Sequence, residues 1–265
     1  MHTWDPDRYL TFADERGRPF VELVARIGAG EPRTVVDLGC GAGNLTRLLV
    51  DRWPGARVVG VDSSAEMVER AAGVGGVTAE LGDIREWARR GRAEGGQGRP
   101  DEEADVLVTN AALQWVPGHL DLLPSLVGRV ADGGWFAMQV PGNFEEPSHT
   151  IRRDLAAEPD YAEHTAGVAA PDAHDAATYL TVLQDLGWQV DAWETTYLHV
   201  LEGQDPVFTW VSGTGARPTM QALPPELRPR FEAEFRARLR EAYRADAQGR
   251  VVLPFRRVFV VAHRP

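Results

Sequence analysis

The chain has 265 residues, 43% apolar and 25% charged, enough for one sizeable hydrophobic core with an appended subdomain. Its 28 basic residues face 39 acids, and a net charge of -11 argues against a broad phosphate footprint on nucleic acid or an anionic membrane. The single cysteine, Cys40, excludes an internal disulfide and a cysteine zinc site, and no segment is apolar for the length that a bilayer span needs.

The first residues also lack the apolar core of a signal peptide, so a cytoplasmic protein is expected. Residues 1–30 are taken as an N-terminal helical lid segment. The strongest signal follows at Val35-Val36-Asp37-Leu38-Gly39-Cys40-Gly41-Ala42-Gly43-Asn44, a β-branched run ending in an acid, then glycines at alternate positions. Such glycines turn the chain sharply out of a strand and remove the Cβ atoms that would keep a ligand off the backbone. A dinucleotide fingerprint places its third glycine one residue later, and a phosphate-binding loop needs a lysine, of which this chain has none. A ligand with a cationic amino-acid head fits better, with Asp37 as its partner, and S-adenosylmethionine has that head. Cys40 reads as a small side chain packed under the cofactor rather than a nucleophile.

Leu45, Leu48 and Leu49 continue on one helical face, and Arg57 to Asp62 reads as a second strand ending in a second acid. A helix over 65–72, a strand over 77–81 with Gly82-Asp83-Ile84 behind it, and a strand from Ala104 to Asn110 repeat the alternation. A helix over 120–130 and a strand over 135–140 extend it. The pattern predicts an α/β fold: a Rossmann-like, seven-stranded, mostly parallel sheet with an antiparallel last strand and helices on both faces. Ligands in such sheets bind at the carboxyl ends of the strands, where Asp37, Asp62, Asp83 and Asn110 fall. Asp62 is placed to accept from ribose hydroxyls, Asp83 from an adenine amine with Ile84 against the ring. For any one of these acids, helix capping is the competing reading.

Residues 89–103 are polar, glycine-rich and without a sizeable apolar side chain, which predicts a solvated loop. Beyond Val140 prolines 141, 147, 159 and 171 punctuate short helical segments, and a long helix starts near Pro225 with Leu227, Phe231, Phe235, Leu239 and Tyr243 as one apolar stripe. The division expected is a cofactor-binding core over 31–140, a helical cap and substrate region with a returning strand over 141–250, and a final strand over 251–265.

The stretches Asp37 to Asn44, Val61-Asp62-Ser63-Ser64 and Gly82-Asp83-Ile84 resemble the first motifs of class I S-adenosylmethionine-dependent methyltransferases. Trp4-Asp5-Pro6, Asn110-Ala111-Ala112-Leu113-Gln114-Trp115, Glu146-Pro147-Ser148-His149 and Thr214-Gly215-Ala216-Arg217-Pro218 resemble, more narrowly, the trans-aconitate 2-methyltransferase family. The resemblance implies S-adenosylmethionine as cofactor, held by Asp37, Gly39, Cys40, Gly41, Asn44, Asp62, Ser63, Asp83, Ile84, Asn110 and Ala111. It implies methyl transfer to one carboxylate of trans-aconitate, giving the monomethyl ester and S-adenosylhomocysteine. A carboxylate is already ionised at neutral pH, so no catalytic base is expected and positioning carries the reaction.

A small tricarboxylate needs guanidinium groups. Arg217 is the first choice, between glycine turns and a proline that suggests an extended exit; a surface ion pair is its competing reading. Arg257 and Arg16 follow, with Arg256 and Arg18 beside them. Gln114, Trp115, Tyr9, Tyr197 and His149 are candidate neutral donors or aromatic walls, although His149 reads equally as a core side chain. The histidines show no metal-ligand spacing, and no metal is expected. A monomer is the default. The alternatives are a natural-product hydroxyl or amine methyltransferase and a non-catalytic S-adenosylmethionine-binding regulator.

Overall fold

The structure is a computed structural model that describes residues 17–90, 103–213 and 215–265. Tyr9, Arg16 and residues 91–102 of the expected loop lie outside the described residues. The chain divides into two compact units: Met1–Val140 with His174–Glu194 and Val258–Pro265, and Pro141–Ala173 with Thr195–Arg257.

In the first unit, runs of β-branched residues become strands and amphipathic stretches become helices. In chain order these are α1 (Arg18–Ala25), β1 (Thr34–Leu38), α2 (Thr46–Arg52), β2 (Arg57–Asp62), α3 (Ala65–Ala72), β3 (Val77–Leu81), α4 (Ile84–Arg90), β4 (Ala104–Asn110), α5 (His119–Val127) and β5 (Val130–Pro141), with α8 (Ala176–Asp185) contributed later. Side chains start some of the helices. Ser64 accepts from the Met67 N–H at the head of α3, and Asp175 accepts from the Thr178 N–H at the head of α8.

The sheet order is β3-β2-β1-β4-β5-β7-β6, with β6 (Gln189–Leu201) and β7 (Val251–His263) crossing the unit boundary along the chain. Parallel pairing aligns Asp37 with Gly60 and with Val108, and Asn110 with Gln139. The order reverses between β1 and β4, the switch point at which open α/β sheets bind ligands. Strand β7 returns antiparallel to β5, since the Arg264 N–H donates to the Gly134 carbonyl and the Gly133 N–H to the Arg264 carbonyl. The core is a layer of buried Val35, Leu38, Val58, Val106, Leu107, Phe136 and Val260.

Some boundaries differ from the sequence expectation. The helix expected over 120–130 ends at Val127, with Gly128 as its cap, and Val130 already opens β5, which is twice as long as expected, has a left-handed Gly133 at φ +75° and pairs with β4 through a register shift between Ala104 and Val106. Arg89 and Arg90, expected in the solvated loop, belong to α4.

The second unit contains α6 (Pro147–Ala156), α7 (Pro159–Thr165), α9 (Pro206–Ser212), α10 (Arg217–Ala222) and α11 (Arg228–Ala242). Pro147 and Pro159 sit in first turns, where a missing N–H costs nothing. The stripe read from the sequence is this unit's core: Phe231, Phe235 and Leu239 are buried on α11 with Leu155, Tyr161, Phe208 and Leu253, and Leu227 and Tyr243 flank them. Tyr161 meets Phe231 edge-on at 5.0 Å between ring centres.

Candidate active site

The bend after β1 is held by its neighbour strand. The N–H groups of Gly39 and Cys40 both donate to the Val61 carbonyl, at 2.8 and 3.1 Å. Gly39, Gly41 and Gly43 all have left-handed φ, at +78°, +55° and +79°. Their surroundings differ. A Cβ on Gly39 would lie 2.3 Å from the Ala112 Cβ, whereas one on Gly41 would meet no described atom within 4 Å. Gly60 on β2 leaves room for Cys40, whose sulfur would be 3.0 Å from a Cβ placed there.

This bend lines a cavity of about 220 Å³ with Asp37, Gly39, Cys40, Gly41, Ala42, Asn44, Leu45, Asn110 and Phe20. Asp37 is buried, and its Oδ2 accepts a 2.6 Å hydrogen bond from the Thr46 hydroxyl. Burial pushes its carboxyl up to about 6, with Asp62 adding to the rise and the Thr46 bond opposing it. Burial, then Asp37 and Asp62, pushes the Cys40 thiol up to about 12. Across the cavity, Oδ1 of Asn110 is buried and accepts no hydrogen bond among the described residues.

Asp62, Ser63, Asp83, Ile84 and Ala111 surround the bend without lining that cavity. Asp62 braces it: Oδ2 accepts from the Gly41 N–H and Oδ1 from the Ser64 N–H, both at 2.9 Å. Ser63 is exposed in the bend that follows β2. Asp83 caps α4, its Oδ1 accepting from the Arg85 and Glu86 N–H groups, while Ile84 reaches within 3.9 Å of a Cβ placed on Gly39. Ala111 holds a φ of +53°, strained for a residue with a side chain, and Gln114 Nε2 donates to its carbonyl at 2.6 Å. Gln114 is buried; Trp115, next in the same 3₁₀ turn, is 43% exposed.

Of the remaining predicted residues, all but Arg18 fall in the second unit. Arg217 is exposed, and it opens helix α10 with Pro218 in the first turn. The extended exit expected at this point is therefore not formed; proline there preorganises a helix start. Tyr197 is buried and stacked at 6.4 Å on His199. Arg257 is buried with its guanidinium 4.3 Å above the Phe255 ring, and Arg256 donates from Nε to the Gly142 carbonyl. Arg18, in the first unit, is tied to Glu22.

His149 lies on the buried face of α6, edge-on to Phe144 at 5.1 Å. A Cβ on Gly215 would come 2.9 Å from its ring, so any other residue there would require the imidazole to shift. Burial, then Arg152 and Arg153, holds its imidazole down at about 4, neutral at physiological pH.

A family model described as a methyltransferase domain matches residues 12–192. The chain is 47% identical to the trans-aconitate 2-methyltransferase of Streptomyces avermitilis over 99% of its own length and 97% of the relative's. It is 48% identical to a protein of the same name from Mycobacterium sp. strain KMS, over 98% of each. The chain belongs to the trans-aconitate 2-methyltransferase family. Its fold is shared with the YcgJ protein of Bacillus subtilis, at a TM-score of 0.56 and 13% identity over 92% of this chain and 97% of that one.

Three residues of this trans-aconitate 2-methyltransferase family member escape a reading of its sequence. Phe20 lines the cavity from α1, and only the fold brings it there. Thr46 bonds Asp37; a hydroxyl nine residues after a buried strand-end acid was the available signal. Arg152 is buried on α6, and its Nη1 donates to the Thr219 hydroxyl at 2.6 Å while its Nε has no acceptor. Its signal was position: three residues after His149 and three before Leu155, an arginine stands on the apolar face of a helix.

Proposed function

We propose that this protein is an S-adenosylmethionine-dependent O-methyltransferase that esterifies one carboxylate of trans-aconitate. The observation that carries the reading is the cavity at the β1–β4 switch point, in a chain nearly half identical to relatives of that name. The residues fit the cofactor. Asp37 supplies a buried carboxyl for the amino-acid head, Gly41 leaves the backbone open to it, and the orphaned Asn110 Oδ1 offers an acceptor. When bound, S-adenosylmethionine supplies an electrophilic methyl group on a cationic sulfonium, and S-adenosylhomocysteine is left after transfer.

The protein's part is positioning. Asp62 fixes the bend through the Gly41 N–H, which holds the donor cradle in one conformation. Asp62, Ser63, Asp83 and Ile84 are assigned to the nucleoside; each Asp62 oxygen accepts one backbone N–H and keeps a lone pair, whereas Asp83 Oδ1 already accepts two and would have to use its other oxygen. The acceptor carboxylate is ionised at neutral pH, so the protein has no proton to remove from it and needs no general base. Alignment and exclusion of water then supply the acceleration. Arg217, Arg257, Gln114, Trp115, Tyr197 and His149, together with Tyr9 and Arg16, are assigned to the acceptor. The net charge of -11 supports a small-molecule acceptor rather than nucleic acid or an anionic membrane, and a cytoplasmic monomer is kept as the default. Among the described residues no helix is long and apolar enough to cross a membrane.

The test is transfer of radiolabelled methyl from S-adenosylmethionine to trans-aconitate by purified protein. A base-labile methyl ester is expected. A base-stable product on a hydroxyl or amine acceptor, with none on tricarboxylates, overturns the acceptor assignment.

A further inference from the structure

Arginine is almost never fully buried without an acid, because desolvating a guanidinium is costly and a carboxylate normally offsets it. Arg152 departs from that rule. It is 9% exposed, and no carboxylate of the described residues pairs with it. Its one hydrogen bond goes to the Thr219 hydroxyl at 2.6 Å, from Nη1, and the buried Nε donates to nothing. The neighbouring Arg153 is different: exposed and held by Glu145 at 3.3 Å, it has its anion already.

Around Arg152 stand a neutral imidazole, a hydroxyl and one charge of its own sign, the neighbouring Arg153. His149 stands one helical turn before it on α6, uncharged at physiological pH, with no side-chain hydrogen bond among the described residues. Thr219 is 1% exposed on α10, two residues after the exposed Arg217. Gly215 packs so close to the His149 ring that a Cβ there would lie 2.9 Å from it and push the imidazole aside. The guanidinium is thus fixed at one end by Thr219, with Nε and Nη2 left as a pair of donors on one edge, the arrangement that grips a carboxylate through two oxygens.

Resting on the functional reading above, we infer that Arg152, clamped by Thr219 and flanked by His149, binds a carboxylate of the acceptor other than the one that is methylated. The distinction follows from the chemistry. A carboxylate gripped through both oxygens by a fixed guanidinium loses the electron density that nucleophilic attack requires, so such a site suits the groups that do not react. It also gives a reason for preferring an acceptor with more than one carboxylate: a monocarboxylate leaves the buried cation without its anion.

The experiment measures trans-aconitate binding by calorimetry in the presence of S-adenosylhomocysteine, and turnover, for wild type, Arg152→Ala, Arg152→Lys and Thr219→Val. Arg152→Ala is expected to weaken trans-aconitate binding on the order of 100-fold, and Arg152→Lys and Thr219→Val about tenfold each. KM rises by the same factors with kcat nearly kept, and S-adenosylhomocysteine binding is unchanged. A monocarboxylate acceptor is expected to show the same kcat/KM with wild type and Arg152→Ala. That last comparison separates a binding role from a structural one, and if Arg152→Ala fails to fold the lysine and valine variants carry the test. Trans-aconitate binding within threefold of wild type in Arg152→Lys and Thr219→Val, or equal losses on mono- and tricarboxylates, overturns the inference. Binding that depends on Arg152 without any methyl ester forming overturns the functional reading and leaves the carboxylate site standing.

Discussion

The Thr46 hydroxyl donates to the Asp37 carboxylate at 2.6 Å inside a wall where Asp37 is 3% exposed. That bond opposes a burial strong enough to hold the carboxyl at about 6, so near pH 6 the apo protein is a mixture of neutral and ionised Asp37. A cationic amino group binds the ionised form. Binding of S-adenosylhomocysteine, which keeps that group, is therefore expected to be flat above about pH 7 and to weaken about tenfold per unit below about 6. Proton release on binding at pH 5.5, seen by calorimetry in buffers of different ionisation enthalpy, checks it. The stability consequence has the opposite sense. Because the folded value is raised, the neutral carboxyl's contribution is present below about 4 and is lost as pH rises through 6. Asp37→Asn is expected to unfold at a higher temperature than wild type at pH 7, by the equivalent of about 2–3 kcal/mol, while losing S-adenosylhomocysteine binding.

Gly39 and Gly41 share a left-handed backbone and differ in what lies beyond the Cα. Gly39→Ala drives a methyl to 2.3 Å from the Ala112 Cβ, in addition to backbone strain, and is expected to lower yield and melting temperature sharply. Gly41→Ala meets open space and costs only the conformational strain, about 1–2 kcal/mol. It folds, yet its methyl projects toward the cavity that Gly41 lines, and calorimetry is expected to show at least a tenfold loss of S-adenosylhomocysteine affinity. Wild-type affinity in Gly41→Ala would separate the bend from the donor.

The sheet was legible in the sequence because its signals are local. A β-branched run, a strand-end acid and the glycine bend are contiguous residues, and β1, β2, α3 and β3 fall where the pattern put them. The bend residues Asp37, Gly39, Cys40, Gly41 and Asn44 meet in one cavity, joined by Asn110 through the parallel register. Asp83 shows where local reasoning divides: it caps α4, as the competing reading had it, at the same strand end that a ligand-facing acid would occupy. Arg217 shows where it fails, since a proline after it was read as an extended exit and instead starts a helix. The Arg152–Thr219 bond joins residues 67 apart, and neither residue's surroundings announce the other.

Cys40 sits within the bend between two carboxylates, and its thiol donates at 3.4 Å to the Gly41 carbonyl. With the thiol pushed up to about 12, almost none is thiolate at pH 8. Iodoacetamide labelling followed by mass spectrometry is expected to be about a thousandfold slower in the native protein than in the denatured chain. Cys40→Ala is expected to retain turnover within a fewfold. Rapid native labelling, or loss of chemistry in Cys40→Ala with donor affinity intact, would give the sulfur a role that its surroundings deny.

His149 links pH to the stability of the second unit. Its imidazole titrates near 4 in the folded protein and near 6.5 when exposed, because burial and the neighbouring Arg152 and Arg153 disfavour the cation. A lowered folded value means that the stabilisation is whole above about 6.5 and is lost as pH falls toward 4, where the unfolded chain takes up a proton that the folded one resists. The loss amounts to about 2–3 kcal/mol. Urea unfolding of wild type from pH 7 to 4 contains this fall together with any contribution from other groups, so the decisive comparison is His149→Phe, which keeps an aromatic ring against Phe144 and Gly215. The variant is expected to lose less stability than wild type across that window by about the same amount. Parallel curves for the two proteins would mean that His149 is already solvated and protonated like an exposed histidine, and the packing at Gly215 would then not be what keeps it neutral.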